Sequence, residues 1–504
     1  MQRLASRPVY PFLIAALPLL HYYAKDLGSA APGPLVRMLV AYWSTTAMLL
    51  LLARRIWRDG ARAALVCGAC AAPLFYGGSL EWPRLFVVVV AVAVLTLVVH
   101  RLPRGLSRWT PILNVACVVL VSLPIASIAW RLAKMRSPRA VTGYADPVPL
   151  PAVDERPDIY FILADGLAHP AIFQSMYGVA RESFEAPLHA LGFHFVAGSR
   201  SNYAQTALSL SATLNMAYVQ DLLEIPDPLN DDRRPLARLI AHNRVVNTLR
   251  STGYRIASLP AEYPLAQPAD ADLVRKPLLS LGFFELHTLR NSILPHVERL
   301  AGRGPADLEF ALHRQRVEFV LRELPRLRTT IPADEPLFVF AHIVAPHPPF
   351  VYGRHGEPQP SRQRFSFADG DHWLMERHGI REQYVVEYRD QARYIVEQIA
   401  VAADAIIRSA PRPLVIIVQS DHGPGSELRW DNLQLTNRIE RHGIFNAWFA
   451  SRNVAVPPAG MTAVNTFRFL FNSQFGATLP LQDDRAWYSR WIWPYEFSEL
   501  PRIR

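Results

Sequence analysis

Apolar residues crowd the first quarter of the chain, whereas nearly all the carboxylates lie after Asp146. The early apolar runs approach the ~20 residues that a helix needs to cross a bilayer. They predict about five membrane helices, at Pro8–Tyr23, Leu35–Ala53, Ala63–Leu80, Leu85–Val99 and Pro111–Trp130. A cleaved signal peptide is disfavoured for the first, because four more spans follow and no clear small-residue cleavage site precedes them. Residues 137–157 are rich in Pro and Ala without a period. They predict a linker between a transmembrane domain over 1–136 and a second domain over 158–504.

After Pro157 the pattern changes to short apolar runs alternating with helical periodicity. The apolar run from Pro157 that ends in Asp165, Leu337–Val344 and the start of Pro413–Gly425 read as buried strands. Phe193–Ala197 and Tyr254–Leu259 read as further strands. Pro235–Thr252 reads as one helix with its proline in the first turn. Arg381–Ser409 reads as the longest helix, since Tyr384, Tyr388, Ala392, Ile395, Ile399, Ala402 and Ile406 recur near one face. The expected fold is therefore an α-helical membrane domain followed by a layered α/β domain with a largely parallel central sheet.

Composition agrees with a membrane part: 50% of the 504 residues are hydrophobic and only 19% charged. A formal charge of +10 could suggest nucleic acid, but no basic patch is interleaved with aromatics, and much of the Arg sits in short loops between apolar runs. One side of the expected bundle would carry Arg3, Arg7, Arg54, Arg55, Arg58, Arg62, Arg101, Arg104 and Arg108; the other would carry Lys25, Arg37 and Arg84. The first side is cytoplasmic by the positive-inside rule. An odd number of spans then sends the second domain outside. Arg131, Lys134, Arg136 and Arg139 run against this orientation. Cys67, Cys70 and Cys117 all lie in apolar spans, so the later domain has neither a disulfide framework nor a Cys-ligated zinc site. The span centres carry almost no ionisable residues, which argues against a transporter.

Two of the predicted strands end in carboxylates, Asp165 and Asp421, and His422 follows the second. Ligands bind at the carboxyl ends of strands in open α/β sheets. Carboxylate oxygen with imidazole nitrogen suits Zn²⁺ or Mn²⁺ better than Ca²⁺. The plain alternative is a turn whose Asp caps local N–H groups. Thr206 lies in the polar run Ser199–Ser211, where Ser209 and Ser211 are competing hydroxyls or helix caps. His347 follows a strand, while His342 falls inside it and reads as a satisfied buried histidine or one supporting a ligand. Asp369, Asp371 and His372 read as a solvated turn, with a second cation as the alternative.

Four motifs in order carry a resemblance: Asp165-Gly166, Gln205-Thr206-Ala207, Ala345-Pro346-His347-Pro348-Pro349-Phe350 and Ser420-Asp421-His422-Gly423. Together they resemble the sulfatase-like branch of the alkaline phosphatase superfamily, and within it the membrane enzymes grouped with lipoteichoic acid synthases and phosphoethanolamine transferases. The resemblance implies one divalent metal ion, Mn²⁺ or Zn²⁺ with Mg²⁺ as a further option, held by Asp165, Thr206, Asp421 and His422. It implies Thr206 as nucleophile and His347 as a binder of substrate oxygen or acid for the leaving group. The chain departs from sulfatases in lacking the C/S-x-P-x-R signature near Thr206, which disfavours sulfate-ester hydrolysis. It also lacks the Asp-Asp pair that opens two-metal members.

The resulting expectation is an enzyme of the cytoplasmic (inner) membrane with its catalytic domain extracytoplasmic. It would transfer a phosphoglycerol- or phosphoethanolamine-type group from a membrane phospholipid to a glycan or glycolipid acceptor through a phospho-threonine. The alternatives are a phosphodiester or sulfate-ester hydrolase of the same family and a noncatalytic sulfatase-like domain that binds a glycan or partner protein.

Overall fold

The computed structural model describes residues 7–501 apart from 29–31, 102–105, 135, 262, 264, 279–280, 305, 362–364, 378 and 453–454. Arg3 and Arg104, used above for orientation, lie outside the described residues. The chain divides into two compact units, one of Met1–Met135 with Leu281–Asp307 and one of Arg136–Ser280 with Leu308–Arg504. The sequence pattern instead expects a single uninterrupted domain from 158 onward. The difference has an identifiable cause. Phe284 packs into an apolar cluster with Met38, Tyr42 and Phe75, Arg37 pairs with the buried Glu285, and His296 Nε2 meets the Gly77 carbonyl at 3.0 Å. None of these long-range partners is visible in local periodicity.

The first unit contains helices α1 (Tyr10–Lys25), α2 (Pro32–Ile56), α3 (Gly60–Tyr76), α4 (Trp82–Arg101) and α5 (Thr110–Lys134). Among the described residues three helices are long and apolar enough to cross a membrane: Pro32–Ile56, Trp82–Arg101 and Leu106–Lys134, the last running through a 3-10 turn into α5. The other two have 16 and 17 residues, or about 25 Å of helix at 1.5 Å per residue. Helix ends in this unit are satisfied by side chains. Asp59 caps α3 by accepting from Ala61 N at 2.9 Å. Asn114, a lone amide within the apolar α5, accepts from Val9 N and Tyr10 N at the start of α1 and donates to the Arg7 carbonyl. It therefore covers backbone groups that a helix start leaves without partners.

The second unit is built on a seven-stranded sheet of β1 (Asp158–Ala164), β2 (His194–Phe195), β3 (Arg255–Leu259), β4 (Leu273–Val274), β5 (Leu337–Ile343), β6 (Leu414–Gln419) and β7 (Asn446–Ala450), in the order β2-β7-β6-β1-β5-β3-β4. Strands β1, β3, β4, β5 and β6 are parallel, and β7 runs against both its neighbours. Every residue of β1, β5 and β6 is buried, as expected for central strands covered on both faces. Arg381–Ser409 is one 29-residue helix. The single helix expected over Pro235–Thr252 is two, Arg234–Ala241 and Arg244–Ser251. Asn243 breaks it: its side chain accepts from Val246 N at 2.9 Å and so starts a new helix. The 137–157 segment is held against the same unit, with Val148, Leu150 and Val153 packed on its main apolar cluster.

Candidate active site

Strands β1 and β6 are parallel neighbours with Leu163 opposite Gln419, so the loops that follow them emerge side by side. Asp165 follows one and Asp421-His422 the other. Two glycines make the close approach possible. Gly166 has φ +72°, a left-handed turn that lets the Asp165 carbonyl accept from His347 N at 3.0 Å. At Gly423 a Cβ would lie 2.0 Å from the Glu440 carbonyl oxygen. Ser420 clips the turn by donating to the Leu167 carbonyl at 2.6 Å and accepting from Phe445 N at 3.0 Å.

Thr206 is the first residue of the helix Thr206–Asn215. Its Oγ1 lies 3.2 Å from His422 Nε2. The competing hydroxyls face elsewhere: Ser209 donates to the Asp421 carbonyl at 2.7 Å, and Ser211 to the Ala207 carbonyl at 2.7 Å. Ser209 thereby ties the helix Thr206–Asn215 to the Asp421 loop.

His422 Nδ1 donates to the Gly423 carbonyl at 2.9 Å, which leaves Nε2 carrying a lone pair. That lone pair faces Asp165 Oδ1 at 3.6 Å and Asp421 Oδ2 at 3.3 Å. Burial, then the charges of Arg441 and His347, hold His422 well below its ordinary proton affinity, so these contacts join a neutral imidazole to carboxylates and are not ion pairs. Asp165 Oδ1 and Asp421 Oδ2 are buried and have no hydrogen-bond partner. Burial first, and then the charge of Asp421, push the Asp165 carboxyl upward. Three acceptors converging with only the Thr206 hydroxyl to donate is costly for a protein interior. The same donor set fits a divalent cation.

His342 donates from Nε2 to Asp165 Oδ2 at 3.0 Å, fixing which oxygen turns toward His422. Burial lowers it to about 4, so it is a neutral donor. Single ligand atoms of Asp165, His347 and His422 lie within 4.8 Å of one another. His347 Nδ1 donates to the Pro348 carbonyl at 2.7 Å, leaving Nε2 to face the site. The structure therefore brings together all five residues singled out by the motifs: Asp165, Thr206, His347, Asp421 and His422.

It also adds residues that the motifs do not contain. Asp369 is not in a solvated turn. It is 4% exposed, accepts from Tyr384 Oη at 2.7 Å and from Arg441 Nη1 at 2.6 Å, and has Oδ2 4.0 Å from His347 Nε2. Arg441 also donates to the Ala204 and Gly423 carbonyls at 2.9 and 3.0 Å. One guanidinium thus joins the loop before Thr206, the loop after His422 and the carboxylate beside His347. Tyr388 Oη donates to the Gly166 carbonyl at 2.8 Å and accepts from Ala168 N at 2.9 Å. The long-helix tyrosines are core residues, as their spacing predicts, whose hydroxyls pin site loops.

Burial opposes ionisation of Asp369, but Arg441, His347 and Tyr384 together hold it down at about 2. Its stabilising contribution is complete above the ordinary carboxylate range and is lost as pH falls toward 2. Arg441→Met strands this carboxylate and is expected to destabilise the protein by about 3–5 kcal/mol. Denaturant unfolding of the detergent-solubilised chain checks this, and Arg441→Met with Asp369→Leu recovers most of the loss.

No family model matches the chain, and no curated protein matches it. Among solved structures it is similar to the lipooligosaccharide phosphoethanolamine transferase A of Neisseria meningitidis, an integral membrane protein, at 13% identity and a TM-score of 0.43, over 91% of this chain and 78% of that one. It is similar to the C-terminal periplasmic domain of EcEptC from Escherichia coli in complex with Zn, at 11% identity and a TM-score of 0.38, over 68% of this chain and 94% of that one. A 2-O GAG sulfatase is similar at 10% identity and a TM-score of 0.43, over 65% of this chain and 72% of that one. Likeness this distant leaves the chemistry to be read from the chain's own residues.

Proposed function

We propose that the protein is a membrane-anchored, metal-dependent phosphotransferase that moves a phospho head group from a phospholipid to a glycan or glycolipid hydroxyl through a covalent intermediate on Thr206. The observation that carries this reading is that Asp165 Oδ1 and Asp421 Oδ2, buried acceptors without hydrogen-bond partners, both approach His422 Nε2, which itself lies 3.2 Å from the Thr206 hydroxyl at the start of a helix. Asp165, Thr206, Asp421 and His422 would hold the metal. A bound divalent ion supplies positive charge that favours the alkoxide form of a coordinated alcohol at neutral pH.

Thr206 Oγ1 attacks phosphorus of the lipid phosphodiester, and the bond to the lipid's glycerol oxygen breaks, releasing diacylglycerol. The N–H groups at the start of Thr206–Asn215 would suit the phosphoryl oxygens as hydrogen-bond donors at a positive helix end. His347, with Nε2 facing the site, binds a phosphoryl oxygen or protonates the departing alkoxide. An acceptor hydroxyl then attacks the phospho-threonine, and Thr206 is regenerated. Water in place of that acceptor gives a hydrolase, and the two are separated by product analysis with and without glycan acceptor. In a membrane extract supplied with metal, the transferase reading expects diacylglycerol to accumulate in step with acceptor modification. Diacylglycerol formation matched only by free phospho head group would instead establish the hydrolase.

The reading places five spans in the inner membrane and the catalytic unit outside. A reporter fused after Arg504 is expected to score as periplasmic. A cytoplasmic score removes access to an outer-leaflet donor.

A further inference from the structure

Helices α1 and α5 each carry an internal proline, Pro18 and Pro124. A proline inside a helix has no N–H to give and pushes against the turn before it. In α1 the carbonyl that Pro18 cannot satisfy is that of Ile14, and Tyr76 Oη donates to it from α3 at 2.9 Å. Both prolines line one crevice of about 600 Å³ within the helical unit. Its walls are apolar, with Leu17 from α1 and Leu120 and Leu123 from α5. One end is different. There His21, Lys25 and Arg131 line the space together, and Arg131 is fixed in place by donating to the carbonyls of Ala24 and Lys25.

Cations at helix C-termini are ordinary complements of the helix dipole. Here, however, they stand at the end of an apolar crevice, and no carboxylate is among the described residues that line it. Such a space selects its occupant from both ends. Apolar walls reject a free sugar or a hydrated ion, and a cationic end leaves a neutral hydrocarbon with nothing to pair. A diacyl phospholipid satisfies both parts. We propose that this crevice holds one anionic phospholipid, with an acyl chain between α1 and α5 and its phosphate at Lys25 and Arg131. The proposal rests on reading the helical unit as membrane-embedded, and does not depend on the chemistry at Thr206. It also accounts for Arg131 standing on the side where the positive-inside rule disfavours it: the residue serves a head group as well as a helix end.

The test is native mass spectrometry of the delipidated full chain in detergent, titrated with phosphatidylglycerol, phosphatidylcholine or inorganic phosphate. One phosphatidylglycerol is expected to bind per chain, with phosphatidylcholine about fivefold weaker and phosphate alone giving no adduct. Lys25→Gln, at an exposed position where folding is not at risk, is expected to weaken phosphatidylglycerol about fivefold by removing one cation near the phosphate. Ser127→Trp, which fills the crevice, is expected to abolish the adduct, while Thr206→Ala leaves it unchanged. Equal binding of both lipids, an adduct indifferent to both crevice variants, no adduct at all, or loss of the adduct in Thr206→Ala would each overturn the proposal.

Discussion

Thr206→Ala is expected to lower turnover by about four orders of magnitude or more, the scale seen when a covalent nucleophile is removed. The folded state is expected to survive. Thr206 is the first residue of its helix, and Ser209 independently ties that helix to the Asp421 loop. Metal content should fall only modestly, because Asp165, Asp421 and His422 remain. The measurement is single-turnover release of diacylglycerol, with metal analysis of the same samples. Turnover within tenfold of wild type would move the nucleophile elsewhere, and no other described hydroxyl in this helix faces His422.

Asp421→Ala acts on the other half of the account. It removes the oxygen that approaches His422 Nε2 at 3.3 Å, and metal affinity is expected to drop by more than about 100-fold, beyond the loss typical of a supporting residue. The effect on stability has a distinctive sign. In wild type, metal at 100 times its Kd adds about 2.7 kcal/mol, which appears as a higher unfolding temperature with Mn²⁺ or Zn²⁺ than with chelator. In Asp421→Ala that difference disappears, while the chelated protein changes little in stability, because relief of a carboxylate that crowds Asp165 offsets the lost hydrogen bond from Gly166 N to Asp421 Oδ1 at 3.3 Å. A lower unfolding temperature in chelator alone, with the metal response retained, would make Asp421 a structural residue.

Much of this site was legible in the sequence because its chemistry is local. Asp165 and Asp421 each follow a buried run of six or seven strand residues; the glycine after Asp165 marks a left-handed turn, and the one after His422 marks a close backbone approach. Thr206 was legible only through its neighbours, since a threonine in a polar run has no signature of its own. Arg441 and Asp369 were not legible. They are 72 positions apart, and each reads locally as a solvated charge; only tertiary packing buries them together beside His347. Glu285 is hidden for the same reason, with its partner Arg37 248 residues away. The break at Asn243 did have a local signal, a helix-capping residue within a helical pattern, but the apolar periodicity on both sides outweighed it.

The central claim is that the reaction passes through a covalent bond to Thr206, and intact mass tests it most directly. Purified wild type and Thr206→Ala are incubated with native membrane lipids and Mn²⁺ or Zn²⁺, quenched in acid and weighed. The account predicts an added phospho head group on wild type alone, localised by peptide mapping to Thr206, with an increment that identifies the group transferred. The same increment on Thr206→Ala, or wild type that turns over lipid under rapid quench without ever gaining mass, would contradict it.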